Sequence, residues 1–463
     1  MAHGTAPSDI KSEIKRQLKE RRNPPPFKTN TRKAVKARDI RYNEWSDFEE
    51  RREHVVARRQ DALDHLSEIH EQLSAKWKEN GVIVHHAANS AIANDTILKI
   101  IRDKGADTIL KSKSMLSEEI GINDYLEQHG VEPVETDLGE YIVQLRHEVP
   151  SHITMPGMHL DRNDVGQLFH EKLGIEYTND PPTLTQVARR VLREKFLAAK
   201  VGMVGVNFAV AQTGHIATVT NEGNGRLVSS LPKTVIAVMG YERVTQSLDD
   251  LAMLWQLLAR SATGQRATVY LNLMHGPAPG PTGPDEVHIV VVNNGRRALN
   301  DDPELREVLR CIRCGACLNA CPIYQQVGGH PYGGTYPGPI GIVLTPALKG
   351  LNNAPDHPFA STLCGACEEI CPVSIPLPKM MLELRKRSVE SRAAPDLEKP
   401  VWFGFQKVME SQKAYEIASN TARFVQYNWP GKNPMPIPGW TDHRDAPQFA
   451  KKPFRDLFKD KDG

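Results

Sequence analysis

No run of 18 or more apolar residues occurs in this chain, so nothing in it reads as a membrane-spanning helix. The N-terminus has charges but no apolar segment behind them, which argues against a secretory signal. No G-x-G-x-x-G follows a strand pattern, and no haem-attachment motif is present. A net charge of +2 gives no reason to expect nucleic acid. Cysteine is scarce, seven in 463 residues, and none lies outside residues 311–371. Thiols gathered in one place do not staple distant loops, so a disulfide framework is not expected. Reduced cysteines without an export signal predict a cytoplasmic protein, with any membrane contact made through a partner.

What is present is concentrated in that stretch. It begins Cys311-Ile312-Arg313-Cys314-Gly315-Ala316-Cys317-Leu318-Asn319-Ala320-Cys321-Pro322. After 41 further residues comes Cys364-Gly365-Ala366-Cys367-Glu368-Glu369-Ile370-Cys371-Pro372. C-x2-C-x2-C-x3-C-P is the bacterial iron–sulfur pattern, in which the fourth cysteine belongs to a neighbouring cluster. Two residues between ligands let a tight loop offer successive thiolates to different irons of one cube. The extra residue and the proline turn the last thiolate away. Gly-Ala recurs in both copies, so this is an internal repeat. Crossed ligation follows: Cys311, Cys314, Cys317 and Cys371 for one [4Fe–4S] cluster, and Cys321, Cys364 and Cys367 for the other. The second set is one thiol short, because Ser361 stands where the repeat would place a cysteine. Either Ser361 or another oxygen or nitrogen ligand completes the cube, or one iron stays open, or the cluster is [3Fe–4S]. Spacing does not choose. Structural zinc, with its paired CxxC ligands, suits a run of four cysteines ending in Cys-Pro poorly.

The rest of the chain has ordinary soluble composition, with 40% apolar and 25% charged residues, and length for several domains. Residues 1–46 form a basic arm, broken by Pro24-Pro25-Pro26. It reads as a solvated or partner-packed extension rather than a nucleic-acid arm, because no aromatics are interleaved for stacking. From 47 to 300, short apolar runs alternate with helical periodicity, predicting an α/β domain with a largely parallel sheet. The expected helices are Asp47 to Lys78, Ser90 to Arg102 with Ser90 as a possible cap, Ser117 to His129, Thr183 to Lys200 and Ser247 to Ser261. Expected strands are Val82 to Val84, Thr108 to Leu110, Val131 to Thr136, Val201 to Val210, Val235 to Met239, Ala267 to Leu273 and Val287 to Val292. Glycines and asparagines in Gly202–Asn207 and Asn221–Gly225 either make turns or expose backbone N–H groups to an anion. Ser114, Glu118, Glu119, Glu135, Asp137, Glu140, His152 and His159 lie near strand ends, as caps or as groups facing a cleft.

A helical ferredoxin domain is expected at 301–392, with short helices at Pro303–Leu309 and Pro378–Arg392. Glycines in Gly328–Gly334 and Tyr336–Gly341 let backbone approach the clusters. Residues 393–463 form a further region rich in aromatics, with a helix from about Phe405 to Gln426 and an extended Trp429–Trp440. Its aromatics read equally as a partner-docking surface or as a tail wrapped on its own domain.

Several motifs together resemble the lactate utilisation protein B family over about residues 50–455. They are Lys113-Ser114-Met115 with Ser117-Glu118-Glu119-Ile120, Glu135-Thr136-Asp137-Leu138-Gly139-Glu140, Pro150-Ser151-His152-Ile153 and Ala211-Gln212-Thr213-Gly214. Asn294-Gly295-Arg296, the two cysteine runs, Tyr336-Pro337-Gly338-Pro339-Ile340-Gly341 and Gly439-Trp440-Thr441 continue the match. The resemblance implies a first domain of the sugar-phosphate isomerase and CoA-transferase type, a lactate-utilisation domain, followed by an α-helical ferredoxin and a family-specific tail. It also implies seven cysteines without an eighth. Two sister subunits are implied, one cysteine-rich and one carrying another lactate-utilisation domain, with which the chain oxidises L-lactate to pyruvate. The residues themselves supply no hydride acceptor, so the chain is expected to carry electrons while lactate is handled with or on a partner. Two other readings remain: an electron-transfer subunit for another hydroxy acid or glycerol phosphate, and an iron–sulfur sensor that binds DNA through its basic arm.

Overall fold

The computed structural model describes residues 10–20, 25–391, 398–428, 441, 445 and 448–459. Pro24, the boundary at 392/393 and the Trp429–Trp440 stretch lie outside them. Residues up to Ser388 form one compact unit and those from Val389 a second.

The first unit is built on ten strands: β1 (Ile83–Ala87), β2 (Thr108–Lys111), β3 (Glu132–Glu135), β4 (Val201–Gly205), β5 (Phe208–Val210), β6 (Ile216–Thr220), β7 (Thr234–Gly240), β8 (Val244–Thr245), β9 (Tyr270–Met274) and β10 (Glu286–Val292). Six form a sheet in the order β1-β10-β7-β4-β2-β3, parallel at every pairing. Alternate residues of these apolar strands feed two cores, as a pleated sheet covered on both faces requires. Val287, Ile289 and Val291 join Leu110 and Val235 on one face, while Val290 and Val292 join Met203 and Ile236 on the other.

Two expected elements divide, and each division has a packing cause. The run Val201–Val210 is two strands in two sheets. After Gly205 the chain leaves the parallel sheet, and β5 enters a four-stranded sheet ordered β8-β5-β6-β9. The Asn207 side chain marks the departure, accepting from Val219 N at 2.8 Å. The helix expected over Asp47–Lys78 breaks at His65 into Phe48–Asp64 and Leu66–Glu79. The first half sends Val55 and Leu63 into the core beneath the cysteines, and the second sends Leu66, Ile69, Leu73 and Trp77 onto the sheet.

Smaller corrections are local. The cap before helix Ser90–Asp103 is Asn89, accepting from Ile92 N at 3.0 Å, not Ser90. The helix expected at Ser117–His129 is two, Met115–Glu119 and Ile122–Gln128, because Gly121 turns left-handed between them. Pro303–Leu309 becomes a 3-10 turn at Arg306–Arg310. β6 and the helices Leu138–Leu145 and Arg162–Leu173 had no clear signal in the sequence.

The basic arm packs on its own chain. Helix Pro26–Tyr42 buries Phe27, Thr31 and Tyr42. Arg38 donates to the Ile370 carbonyl at 3.1 Å, and the Tyr42 hydroxyl meets Ser261 Oγ at 2.5 Å. In the second unit the expected helix breaks at Ser411 into Glu398–Met409 and Gln412–Tyr427. Trp402, Phe403, Phe405, Phe424, Phe454 and Phe458 are exposed. Phe449 is bound to the second helix through its N–H to Gln426 Oε1 and its carbonyl from the Tyr427 hydroxyl, both 2.8 Å.

Candidate iron–sulfur centres and an adjoining cavity

The two cysteine runs fold alike. Arg313 and Gly315, which flank Cys314, have φ of 60° and 76°; Leu363 and Gly365, which flank Cys364, have 56° and 85°. Paired left-handed residues curl the loop so that its N–H groups and thiols face inward, and they are costly at Arg313 and Leu363 unless the surroundings enforce them. Short helices at Ala316–Ala320 and Ala366–Glu369 follow each curl.

Cys311, Cys314, Cys317 and Cys371 line a single cavity walled by Ile153, Ile340, Val373, Ile375 and Leu377. Backbone amides point at its sulfurs: Arg313 N lies 3.4 Å from Cys311 Sγ, and Ile375 N 3.5 Å from Cys371 Sγ. Burial pushes the Cys314 thiol up to about 12, with Cys311 and Cys371 adding to it. Cys317 is raised well above the usual range by burial and by Cys311, Cys314, Cys371 and Cys367. In the other group, burial and then Cys321 push Cys367 up to about 12, and Cys364 acts on both. Such thiols stay protonated until a metal claims them, and ligation then releases the proton. A cavity ringed by four sulfurs, with apolar walls and inward N–H donors, fits an iron–sulfur cube. Among the second set Cys364 is exposed, and Ser361 is half-buried with its Oγ accepting from Leu363 N at 3.1 Å.

The cysteine region is locked to the α/β domain by a buried ionic chain. Glu119 takes two bonds from Arg296 at 2.7 and 2.8 Å and one from the Tyr336 hydroxyl at 2.6 Å. Arg296 Nε also donates to Glu242 at 2.7 Å, and Arg313 donates to the other oxygen of Glu242 at 3.3 Å. Arg243 donates to the Cys311 carbonyl at 3.0 Å. Burial would raise Glu242, but Arg296, Arg243 and Arg313 outweigh it and hold it at about 2. His152 fills the space against Gly315, where an added Cβ would lie 3.0 Å from its ring. Its Nδ1 accepts from Thr154 N at 3.1 Å and its Nε2 meets Asn319 Oδ1 at 3.1 Å. Burial lowers its pKa to about 3, so it is a neutral spacer.

Beside this chain, between the strand ends and the Cys311 loop, lies a cavity of about 380 Å³. Ser114, Gly205, Asn207, Asn221, Glu222, Asn224, Gly225 and Asp137 line it, so the Gly/Asn turns and two of the strand-end polar residues converge there. The others do not. Glu135 pairs with Lys111, Glu119 with Arg296, and His159 with Glu148. Glu118 and Glu140 are raised by burial, Glu118 to about 7. Sequence reasoning missed Lys113, Arg243 and Arg313 as cavity residues. One signal was legible: an arginine inside a cysteine motif, where a loop around a cluster has little room for a long side chain.

A sheet covered on both faces, joined through buried ion pairs to a paired-cysteine region, defines an iron–sulfur protein carried on an α/β scaffold. Residues 70–292 match the LUD domain, 307–375 the 4Fe-4S dicluster domain, and 385–462 the lactate utilisation protein B C-terminal region. The chain is 45% identical to the lactate utilization protein B of Bacillus velezensis, over 93% of this chain and 91% of that one. It is 45% identical to that of an Exiguobacterium strain, over 91% and 92% respectively. With the Bacillus subtilis protein of the same name the identity is 43%, over 93% and 91%. The chain belongs to the lactate utilization protein B family. No helix among the described residues is long and apolar enough to cross a membrane.

Proposed function

We propose that this chain is the electron-transfer subunit of a complex that oxidises L-lactate to pyruvate. Cys311, Cys314, Cys317 and Cys371 hold one [4Fe–4S] cluster; Cys321, Cys364 and Cys367 hold a second, with a non-cysteine fourth ligand. The observation that carries this reading is that cysteines from both runs line one cavity while the remaining three influence one another. Bound clusters accept and pass single electrons, and lactate oxidation releases two. The residues around them do the rest. Arg313 N and Ile375 N donate toward sulfur, which favours the reduced state. Arg243 and Arg313 place positive charge beside Cys311. Ile153, Ile340 and Leu377 keep water from that cavity.

The partners are a cysteine-rich subunit and a second subunit with a lactate-utilisation domain, as the family likeness supports. Seven free cysteines fit a reducing compartment, the cytoplasm; contact with the membrane falls to the partners. The domain limits are 1–46 for the arm, 47–300, 301–392 and 393–463.

The test is anaerobic purification with iron and sulfide analysis and EPR, then addition of L-lactate with and without the sister subunits. About eight irons, reduced by lactate only when the sister subunits are present, is the expected result. Colourless zinc-loaded protein that still supports growth on lactate overturns the cluster assignment. Lactate-driven reduction of a dye by the isolated chain overturns the division of labour.

A further inference from the structure

We propose that the cavity beside the Cys311 loop is a binding site for a small organic carboxylate, held by Arg313, Lys113 and Ser112. This extends the lactate reading by giving the chain its own ligand site, and it rests on that reading only for the choice of acid.

Three residues lining the cavity each carry a buried side-chain atom that makes no hydrogen bond: Ser112 Oγ, Lys113 Nζ and Arg313 Nη1. Buried donors are nearly always paired, and a buried cation without a hydrogen-bond acceptor is costly. The Arg313 side chain is only 7% exposed; its bond to Glu242 uses the other terminal nitrogen, and Cys311 also lies beside the guanidinium. The nearest carboxylate to Lys113 Nζ is Glu140, at 3.9 Å, beyond hydrogen-bond reach. Lys113 is among the charges that act on His152, Glu118, Glu140 and Glu222 around the cavity. A hydroxyl and two cations around one cavity form a donor set that an acceptor-only group satisfies, and a carboxylate is such a group.

The cavity is also more than an ion hole. Its volume of about 380 Å³ holds an organic acid with room to spare. Asn207, Thr218 and Thr220 also line the wall; the two threonine hydroxyls donate to the Gly205 carbonyl and to Asn224 Oδ1, and keep lone pairs that a ligand hydroxyl can meet. Asp137 also lines it, and its negative charge disfavours a dianion such as phosphate over a monocarboxylate. The ligand class is therefore a short 2-hydroxy or 2-oxo acid.

Isothermal calorimetry on the anaerobically purified cluster-loaded chain tests this. The probes are L-lactate, pyruvate, glycolate, propionate and inorganic phosphate. At least one of the three oxygenated acids is expected to bind, more tightly than propionate and phosphate. Lys113→Met, which keeps the aliphatic stem, is expected to weaken that binding roughly tenfold or more while iron content, EPR spectrum and melting temperature stay at wild-type values. Arg313→Lys gives a second variant and is expected to weaken binding as well. No binding of any acid at millimolar concentration, unchanged affinity in Lys113→Met, or phosphate as the preferred ligand each overturns the proposal. Binding of glycolate but neither lactate nor pyruvate sustains the site and overturns the lactate reading, so the two failures are distinguishable.

Discussion

Replacing Glu242 with glutamine removes one negative charge from the centre of the ionic chain and almost no volume. Glu242 is 1% exposed and lies 2.7 Å from Arg296 Nε, 3.3 Å from Arg313 Nη2 and 3.7 Å from Arg243 Nε. In Glu242→Gln, Arg296 retains Glu119, whereas Arg243 and Arg313 keep their positive charges with no buried carboxylate beside them. Two routes give the cost. The carboxyl is held at about 2 against an ordinary 4.5, which corresponds to about 3 kcal/mol at neutral pH. Breaking a buried ion pair by removing one partner costs about 3–5 kcal/mol. For a unit of this size, whose unfolding entropy is about 0.8 kcal/mol/K, that is a drop in melting temperature of roughly 4–6 °C. The sign with pH follows. A depressed folded pKa contributes stability that is full above about 4.5 and is lost as pH falls towards about 2. Anaerobic calorimetric melts of wild type and Glu242→Gln are expected to differ most at pH 6–8 and to converge below about pH 2. A melting difference under about 1 °C at pH 7, or a constant difference from pH 7 to 3, would refute the claim that this carboxylate holds the two regions together.

Other expectations are sharper in geometry. Cys371→Ala is expected to lower iron from about eight to about four and to abolish one EPR signal, while Cys364→Ala affects the other; identical residual spectra would argue against crossed ligation. Gly329→Ala places a Cβ 1.9 Å from the Ser151 carbonyl oxygen, where segment 150–159 meets the cysteine region. It should cost about 1–3 kcal/mol or more by overpacking, and an unchanged melt tells against that close approach. Trp77 is fully buried and donates to the Gly214 carbonyl at 3.0 Å. Trp77→Ala should cost about 3–5 kcal/mol in denaturant titration, and Trp77→Phe distinctly less; equal losses in both would mean packing volume is not what matters there.

Iron–sulfur ligation was legible in the residue order because its chemistry is local: two-residue spacings, a terminal Cys-Pro and a repeated Gly-Ala lie within single loops. The parallel sheet was legible for a similar reason. Strands such as β7 and β10 are short apolar runs buried on both faces. The helix at Leu248–Thr263 starts at Ser247, whose side chain accepts from its own first turn. What needed the tertiary structure is what depends on residues far apart in sequence. The break at His65 parts a helix packed chiefly on the cysteine core, Ala62 excepted, from one packed on the sheet, and no periodicity records which core lies where. β4 and β5 part because Asn207 bonds to Val219 in another sheet. Lys113, Arg243 and Arg313 are ordinary charges along the chain, and they become a cationic cavity wall only when the sheet ends meet the Cys311 loop. Spacing along a chain encodes contacts within a turn or two; burial of a charge, and the ligand it then calls for, is set by which distant segments close around it.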